Sequence, residues 1–251
     1  MGIIHLVAAA SGVVAVVKPS GLPTQAPPGI DSAETQVRRL LTDPAWLGHP
    51  VTESCSYLGV PHRLDRAVSG IMLFATTPRA ARKLSRQFER REVKKTYRAL
   101  VAPQAAARQA ECLGRETTEW RDWIEKVPDE PRARRAESAH APGAREAVTI
   151  VRRLGLSAVN AGHAAIELEP LTGRMHQLRL QAACRGLPIV GDEVYGGPTG
   201  IDAAAADDQR ARPIALHAWR IEYTDPESGE RITREAPLPT WWPPLEMPPA
   251  S

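Results

Sequence analysis

The sequence predicts an α+β fold, a largely antiparallel mixed sheet with a few flanking helices. Short β-type runs, about eight to ten of them, outnumber three helical segments. Neighbouring runs follow one another at hairpin-like spacings, which favours antiparallel pairing. The chain has 251 residues, 43% hydrophobic and 24% charged. That is enough for one large domain or two small ones and close to the globular average. Residues 1–251 are expected to form a single domain, with an irregular excursion at 103–146 and a mobile loop at 198–213.

The elements follow in order. Residues 3–8 and 13–17 read as two strands split by Ser11-Gly12. Lys18-Pro19-Ser20-Gly21-Leu22-Pro23 breaks the strand pattern and turns. Asp31 is the expected N-cap of a first helix, with Glu34 as capping-box partner and Val37, Leu40 and Leu41 on its apolar face. A buried strand is expected at 71–75. Thr77-Pro78 then starts a second helix with Ala81, Leu84 and Phe88 as its stripe. Strands are expected at 96–101, 147–154, 164–169, 214–223 and 231–235. Residues 174–186 read as a third helix, ended by Gly186 with Pro188 beyond it. The Pro-rich end packs its tryptophans, Trp241 and Trp242.

Several functions have no support. The three cysteines, Cys55, Cys112 and Cys184, form no CxxC pair, so they suggest neither a disulfide framework nor a zinc site. The motifs HExxH, GxxxxGKS, GxGxxG and GxSxG are missing from the sequence. No stretch reaches the roughly 20 apolar residues of a membrane span, and the N-terminus lacks a signal peptide's basic start. A soluble, cytoplasmic, monomeric chain with no cofactor, no metal and no membrane partner is expected.

Charge is informative locally. The net charge is only +3, yet residues 79–98 carry nine Lys or Arg against two acids. A stretch so poor in acids suits an anionic partner such as nucleic acid phosphate. Just before it lies His62-Arg63-Leu64-Asp65-Arg66-Ala67-Val68-Ser69-Gly70. Here one carboxylate sits between two arginines, which favour its ionised form, and such a group can act as nucleophile or base. Taken alone, this stretch is more simply read as a loop salt bridge just before a strand. Further on, Arg179 falls among Leu178, Leu180 and Ala182, where an arginine is expensive to bury without a carboxylate partner.

Five segments together resemble the RluA-type pseudouridine synthases of ribosomal and transfer RNA. They are Lys18-Pro19-Ser20-Gly21-Leu22; His62-Arg63-Leu64-Asp65 with Ser69-Gly70; the basic helix leading into Lys94-Lys95-Thr96-Tyr97-Arg98-Ala99; Thr172-Gly173-Arg174-Met175-His176-Gln177-Leu178-Arg179; and Gly186-Leu187-Pro188-Ile189-Val190-Gly191-Asp192 with Tyr195-Gly196. The resemblance implies the pseudouridine synthase catalytic fold, without the N-terminal S4 domain of many relatives. It implies a cofactor-free isomerase that converts uridine in rRNA or tRNA to pseudouridine. Asp65 would be the catalytic aspartate and Arg179 its carboxylate partner. Arg63 would fill the space of a flipped nucleotide, and Tyr97 would stack on a base. Leu178 would help keep the site dry, and Lys94 and Lys95 would meet RNA phosphates. Val68, Met175 and Gln181 depart from the family's usual residues. Two alternatives remain at this point: a catalytically silent RNA-binding protein on the same fold, and an unrelated metal-dependent hydrolase on His62, Asp65 and His176.

Overall fold

The computed structural model describes residues 2–42, 57–102, 117–157, 163–199, 208 and 211–246. In chain order the elements are β1 (His5–Ala10), β2 (Val13–Lys18), α1 (Ala33–Leu40), β3 (Ser69–Ala75), α2 (Pro78–Glu89), β4 (Lys94–Val101), β5 (Thr117–Lys126), β6 (Ala133–Arg135), β7 (Arg145–Ser157), β8 (Ala164–Pro170), α3 (Gln177–Cys184), β9 (Leu216–Thr224), β10 (Arg231–Glu235) and β11 (Leu245–Glu246). A 3-10 turn spans Glu193–Tyr195. Strands outnumber helices, as expected of this α+β chain. It divides into two compact units, Met1–Lys94 with Ala218–Pro237 and Lys95–His217 with Leu238–Ser251.

In the first unit β1, β2 and β3 pair antiparallel in sequence order, and β10 pairs antiparallel with β9. Ser11 and Gly12, both at positive φ, close the β1–β2 hairpin. A two-residue loop needs that geometry to match the twist of its strands. β3 is buried along its whole length, which explains its unbroken apolar run. Gly70 sits in it at φ 121°, where a Cβ would lie 2.3 Å from the Ala218 carbonyl oxygen. Only glycine permits that approach to β9.

The first helix begins one residue later than the sequence suggested. Ser32, not Asp31, is the N-cap, and Thr35 rather than Glu34 completes the capping box. Asp31 instead accepts from Gln36 and Thr35, and these bonds hold its carboxyl below the usual range. The second helix starts as expected, with Thr77 accepting from the Ala80 amide and Pro78 in the first turn. Its buried stripe is Ala80, Leu84 and Gln87 rather than Ala81, Leu84 and Phe88. Gln87 is tolerated there because its amide brackets the Thr224 backbone, donating to the carbonyl and accepting from the N–H.

In the second unit β4, β8, β7, β5 and β6 pair antiparallel in that spatial order, with β11 also on β7. β5 and β6 correct the reading of 103–146 as irregular. In β5, Trp120, Asp122 and Ile124 are buried and alternate with exposed Glu119, Arg121 and Trp123. The many charges on its outer face hid the inner period of two. The expected helix at 174–186 begins only at Gln177. Gly186 ends it as expected: its N–H meets the Ala183 carbonyl while Leu187 N–H meets that of Ala182, a Schellman closure that puts glycine in the left-handed conformation. Trp241 and Trp242 do pack together, centroids 5.5 Å apart. Of the expected loop at 198–213, positions 200–207, 209 and 210 lie outside the described residues.

Candidate active site

Asp65 lies on the loop entering β3, half-buried, and its chain neighbours are held on every side. Thr24 Oγ1 donates to the Leu64 carbonyl at 2.8 Å and accepts the Leu64 N–H at 3.1 Å. The Arg66 carbonyl accepts from the Gly21 N–H at 2.8 Å and from Lys18 Nζ at 3.3 Å, and Arg66 Nε donates back to the Gly21 carbonyl. Val68 N–H closes a turn onto the Asp65 carbonyl, a main-chain bond that valine makes as well as threonine would. His62 Nε2 accepts the Leu73 N–H at 2.9 Å, and its ring stacks on Phe88 at 4.5 Å. The loop is thus tied to β3, to α2 and to the turn after β2.

Lys18 belongs to this constellation, although no role was assigned to it from the sequence. Its side chain is fully buried, and Nζ donates to the carbonyls of Pro19, Leu22 and Arg66. Three N–H bonds on three carbonyls satisfy an ammonium completely. Burial pushes its pKa down to about 7, against the Asp65 carboxylate, which raises it, and with the Arg66 guanidinium, which lowers it further. A signal existed: a lysine ends the otherwise apolar run of β2 directly before Pro19.

The second unit holds Arg179. Its Nε and Nη2 each lie 2.7 Å from a carboxylate oxygen of Asp192, and both side chains are buried. The sequence did not suggest this bidentate bond. The Tyr195 ring lies under the same guanidinium, 5.2 Å from centroid to Cζ. Tyr195 is fixed in turn by its hydroxyl, which meets His176 Nδ1 and the Ala133 backbone. The Gly191-Asp192 and Tyr195-Gly196 segment therefore has a physical task, to orient Arg179.

α3 itself is pinned by a buried polar chain. Thr172 Oγ1 donates to Gln177 Oε1, Gln177 Nε2 to Thr149 Oγ1, and Thr149 to Gln181 Oε1. Gln181 Nε2 then meets Asp122 and the carbonyls of Trp120 and Ala147. Gln181, one of the departures noted in the sequence, is thus a satisfied structural node.

The remaining candidates are divided between the units. Arg63, Asp65 and Lys94 lie in the first; Lys95, Tyr97, Leu178 and Arg179 lie in the second. Arg63 and Lys94 are exposed, Lys95 and Tyr97 half-buried, and Leu178 is buried. Burial holds the Lys95 ammonium below its usual range. Among the described residues no group of His, Cys, Asp and Glu is placed to hold a metal ion.

The two arginine-rich surfaces differ. On β5–β8, Arg121, Arg134 and Arg152 are each paired with a glutamate. On α2 and its end, Arg79, Arg82, Arg86 and Arg91 have no ion pair among the described residues. That leaves a surface of uncompensated positive charge.

A family model described as RNA pseudouridylate synthase matches residues 12–184. The chain is 33% identical over 220 residues to the dual-specificity RNA pseudouridine synthase RluA of Yersinia pestis, which takes in 86% of this chain and 90% of that protein. It is 34% identical over 187 residues to the ribosomal large subunit pseudouridine synthase D of Neisseria meningitidis serogroup B, covering 72% of this chain but only 45% of that protein. The solved structure of human RNA pseudouridylate synthase domain containing 1 has the same fold, at TM-score 0.71 and 21% identity, over 98% of this chain and 91% of the other. A carboxylate loop locked from both sides, an oriented buried arginine and an unneutralised basic helix thus stand in a chain that belongs to the RNA pseudouridylate synthase family.

Proposed function

We propose that this chain is an RNA pseudouridine synthase, isomerising a uridine of folded ribosomal or transfer RNA without a cofactor or metal. The observation that carries the reading is the carboxylate of Asp65 on a loop whose flanking residues are both clamped by hydrogen bonds. Such clamping is what a reaction at a ribose carbon asks of its catalytic group.

The reaction breaks the bond from C1′ to N1 of uracil, rotates the base and rejoins it through C5, which then gives up its proton while N1 takes one up, so that the product is an isomer of the substrate. Asp65 starts it either by adding to C1′ or by taking a proton from C2′. We assign Arg179 to holding the carboxylate charged, with Asp192 and Tyr195 orienting its guanidinium. The target nucleotide must leave its stack, at a cost of a few kcal/mol. Stacking on Tyr97, insertion of Arg63, and phosphate contacts from α2, Lys94 and Lys95 offset that cost. Leu178 and Leu64 exclude water. The chain works as a cytoplasmic monomer in this reading.

The test is Asp65→Asn. That variant should fold, bind unmodified ribosomal and transfer RNA transcripts as the wild type does, and form no pseudouridine. Product at the wild-type rate would remove Asp65 from the chemistry.

A further inference from the structure

Thr24 lies forty residues from Leu64 in sequence and outside the five segments that carry the family resemblance. Its hydroxyl nevertheless makes both backbone hydrogen bonds of Leu64, donating to the carbonyl at 2.8 Å and accepting the N–H at 3.1 Å. One side-chain oxygen thus does for Leu64 what a neighbouring strand's backbone would do. Both residues are buried, Thr24 at 6% and Leu64 at 5% exposure, so water cannot replace the bonds.

Thr24 is itself anchored. The first-turn amides of a helix have no partner within it. Here the Ala33 N–H donates to the Pro23 carbonyl at 2.9 Å, and the Glu34 N–H donates to the Thr24 carbonyl at 3.0 Å. The start of α1 therefore fixes the backbone at 23–24. A β-branched side chain has little rotamer freedom, so the hydroxyl is held as firmly as the backbone. The path runs from α1 through Thr24 to Leu64, and the next residue is Asp65.

We propose that Thr24 is a positioning residue for the isomerisation, fixing the main chain that presents the Asp65 carboxylate. The proposal rests on the reading of Asp65 as the catalytic group. Thr24→Val removes the hydroxyl and keeps the shape; Thr24→Ser keeps the hydroxyl on a looser side chain. Single-turnover pseudouridine formation is measured on unmodified ribosomal and transfer RNA transcripts, alongside RNA affinity and hydrogen exchange of the Leu64 amide. For Thr24→Val the expected result is a rate lowered about tenfold or more, RNA affinity within twofold of wild type, and faster exchange at Leu64. Thr24→Ser should return the rate to within about threefold.

A Thr24→Val variant that folds less stably but reacts at the wild-type rate overturns the proposal and leaves the reading of Asp65 intact. A wild-type chain that forms no pseudouridine on any transcript overturns that reading, and the proposal with it. Unchanged Leu64 exchange in Thr24→Val refutes the clamp without recourse to activity.

Discussion

Lys18 should make stability depend on pH in a defined direction. Its ammonium ordinarily titrates at 10.5 and here at about 7, chiefly through burial. At about 1.4 kcal/mol for each tenfold change in proton affinity, charging Lys18 costs the folded state about 5 kcal/mol more than charging it in the unfolded chain. Between pH 7 and 10.5 the unfolded chain binds this proton and the folded chain has released it. Stability must therefore rise with pH across that window and be insensitive to Lys18 below it. The assay is urea unfolding of the wild type and of Lys18→Met from pH 6 to 10. Lys18→Met loses three hydrogen bonds but also sheds the buried charge, so the informative quantity is the wild-type stability minus that of the variant. That difference should grow by about 1 kcal/mol per pH unit from pH 7.5 to 9.5. A difference that stays flat there would mean that the carbonyls of Pro19, Leu22 and Arg66, with Asp65, keep Lys18 charged, and the burial argument would fail. The Lys18 Cε chemical shift gives a direct check, with a midpoint near 7 expected and one above 9.5 refuting.

Two further outcomes follow from the same structure. Asp192→Ala leaves the buried Arg179 guanidinium without its bidentate partner and should cost about 3–5 kcal/mol in urea unfolding. Pairing it with Arg179→Met should recover part of that loss, and a single-variant cost below about 1 kcal/mol would deny the pair its structural role. Arg91→Gly relieves a left-handed residue at φ 60° and should raise stability by about 1 kcal/mol. The same change should weaken RNA binding and lower the slope of log affinity against log salt by about one contact. A variant that is both more stable and equally salt-dependent would take Arg91 out of the RNA surface.

What the sequence made legible was local. The apolar run Ile71–Ala75, the pair Thr77-Pro78 and the stop at Gly186 each declare themselves within a few residues; the last two stand where they were expected, and the strand begins two residues earlier, at Ser69. Asp65 and Arg179 stood out because a charge among apolar or oppositely charged neighbours needs explaining. What stayed hidden was contact across sequence. Thr24 reaches Leu64, Lys18 reaches Arg66, and Gln181 reaches Asp122, over separations that no periodicity spans. β5 was missed for another reason. Its outward residues carry charges that make the whole segment look polar, although Trp120 and Ile124 face inward.

The backbone points to the same residues as the side chains. Among the described residues four non-glycine positions have positive φ: Ser11, Arg91, Asp129 and His176. Ser11 lies in a two-residue hairpin loop that requires it, and Asp129 lies in the turn between β5 and β6. The other two have no such excuse, because glycine would close α2 more cheaply than Arg91 does, and an ordinary cap would start α3 more cheaply than His176, which makes no side-chain capping bond. At both places the strained residue carries something glycine lacks. Arg91 places an unneutralised charge at the end of the basic helix. His176 places a ring nitrogen on the Tyr195 hydroxyl, and Tyr195 underlies Arg179. Lys18 adds a third departure from stability, a buried charge beside Asp65. Local rules are broken in folded chains where function demands it, and here one break lies beside Asp65, one supports Arg179 through Tyr195, and one ends the basic helix. Stabilising all three positions at once should therefore give a firmer protein and a poorer enzyme.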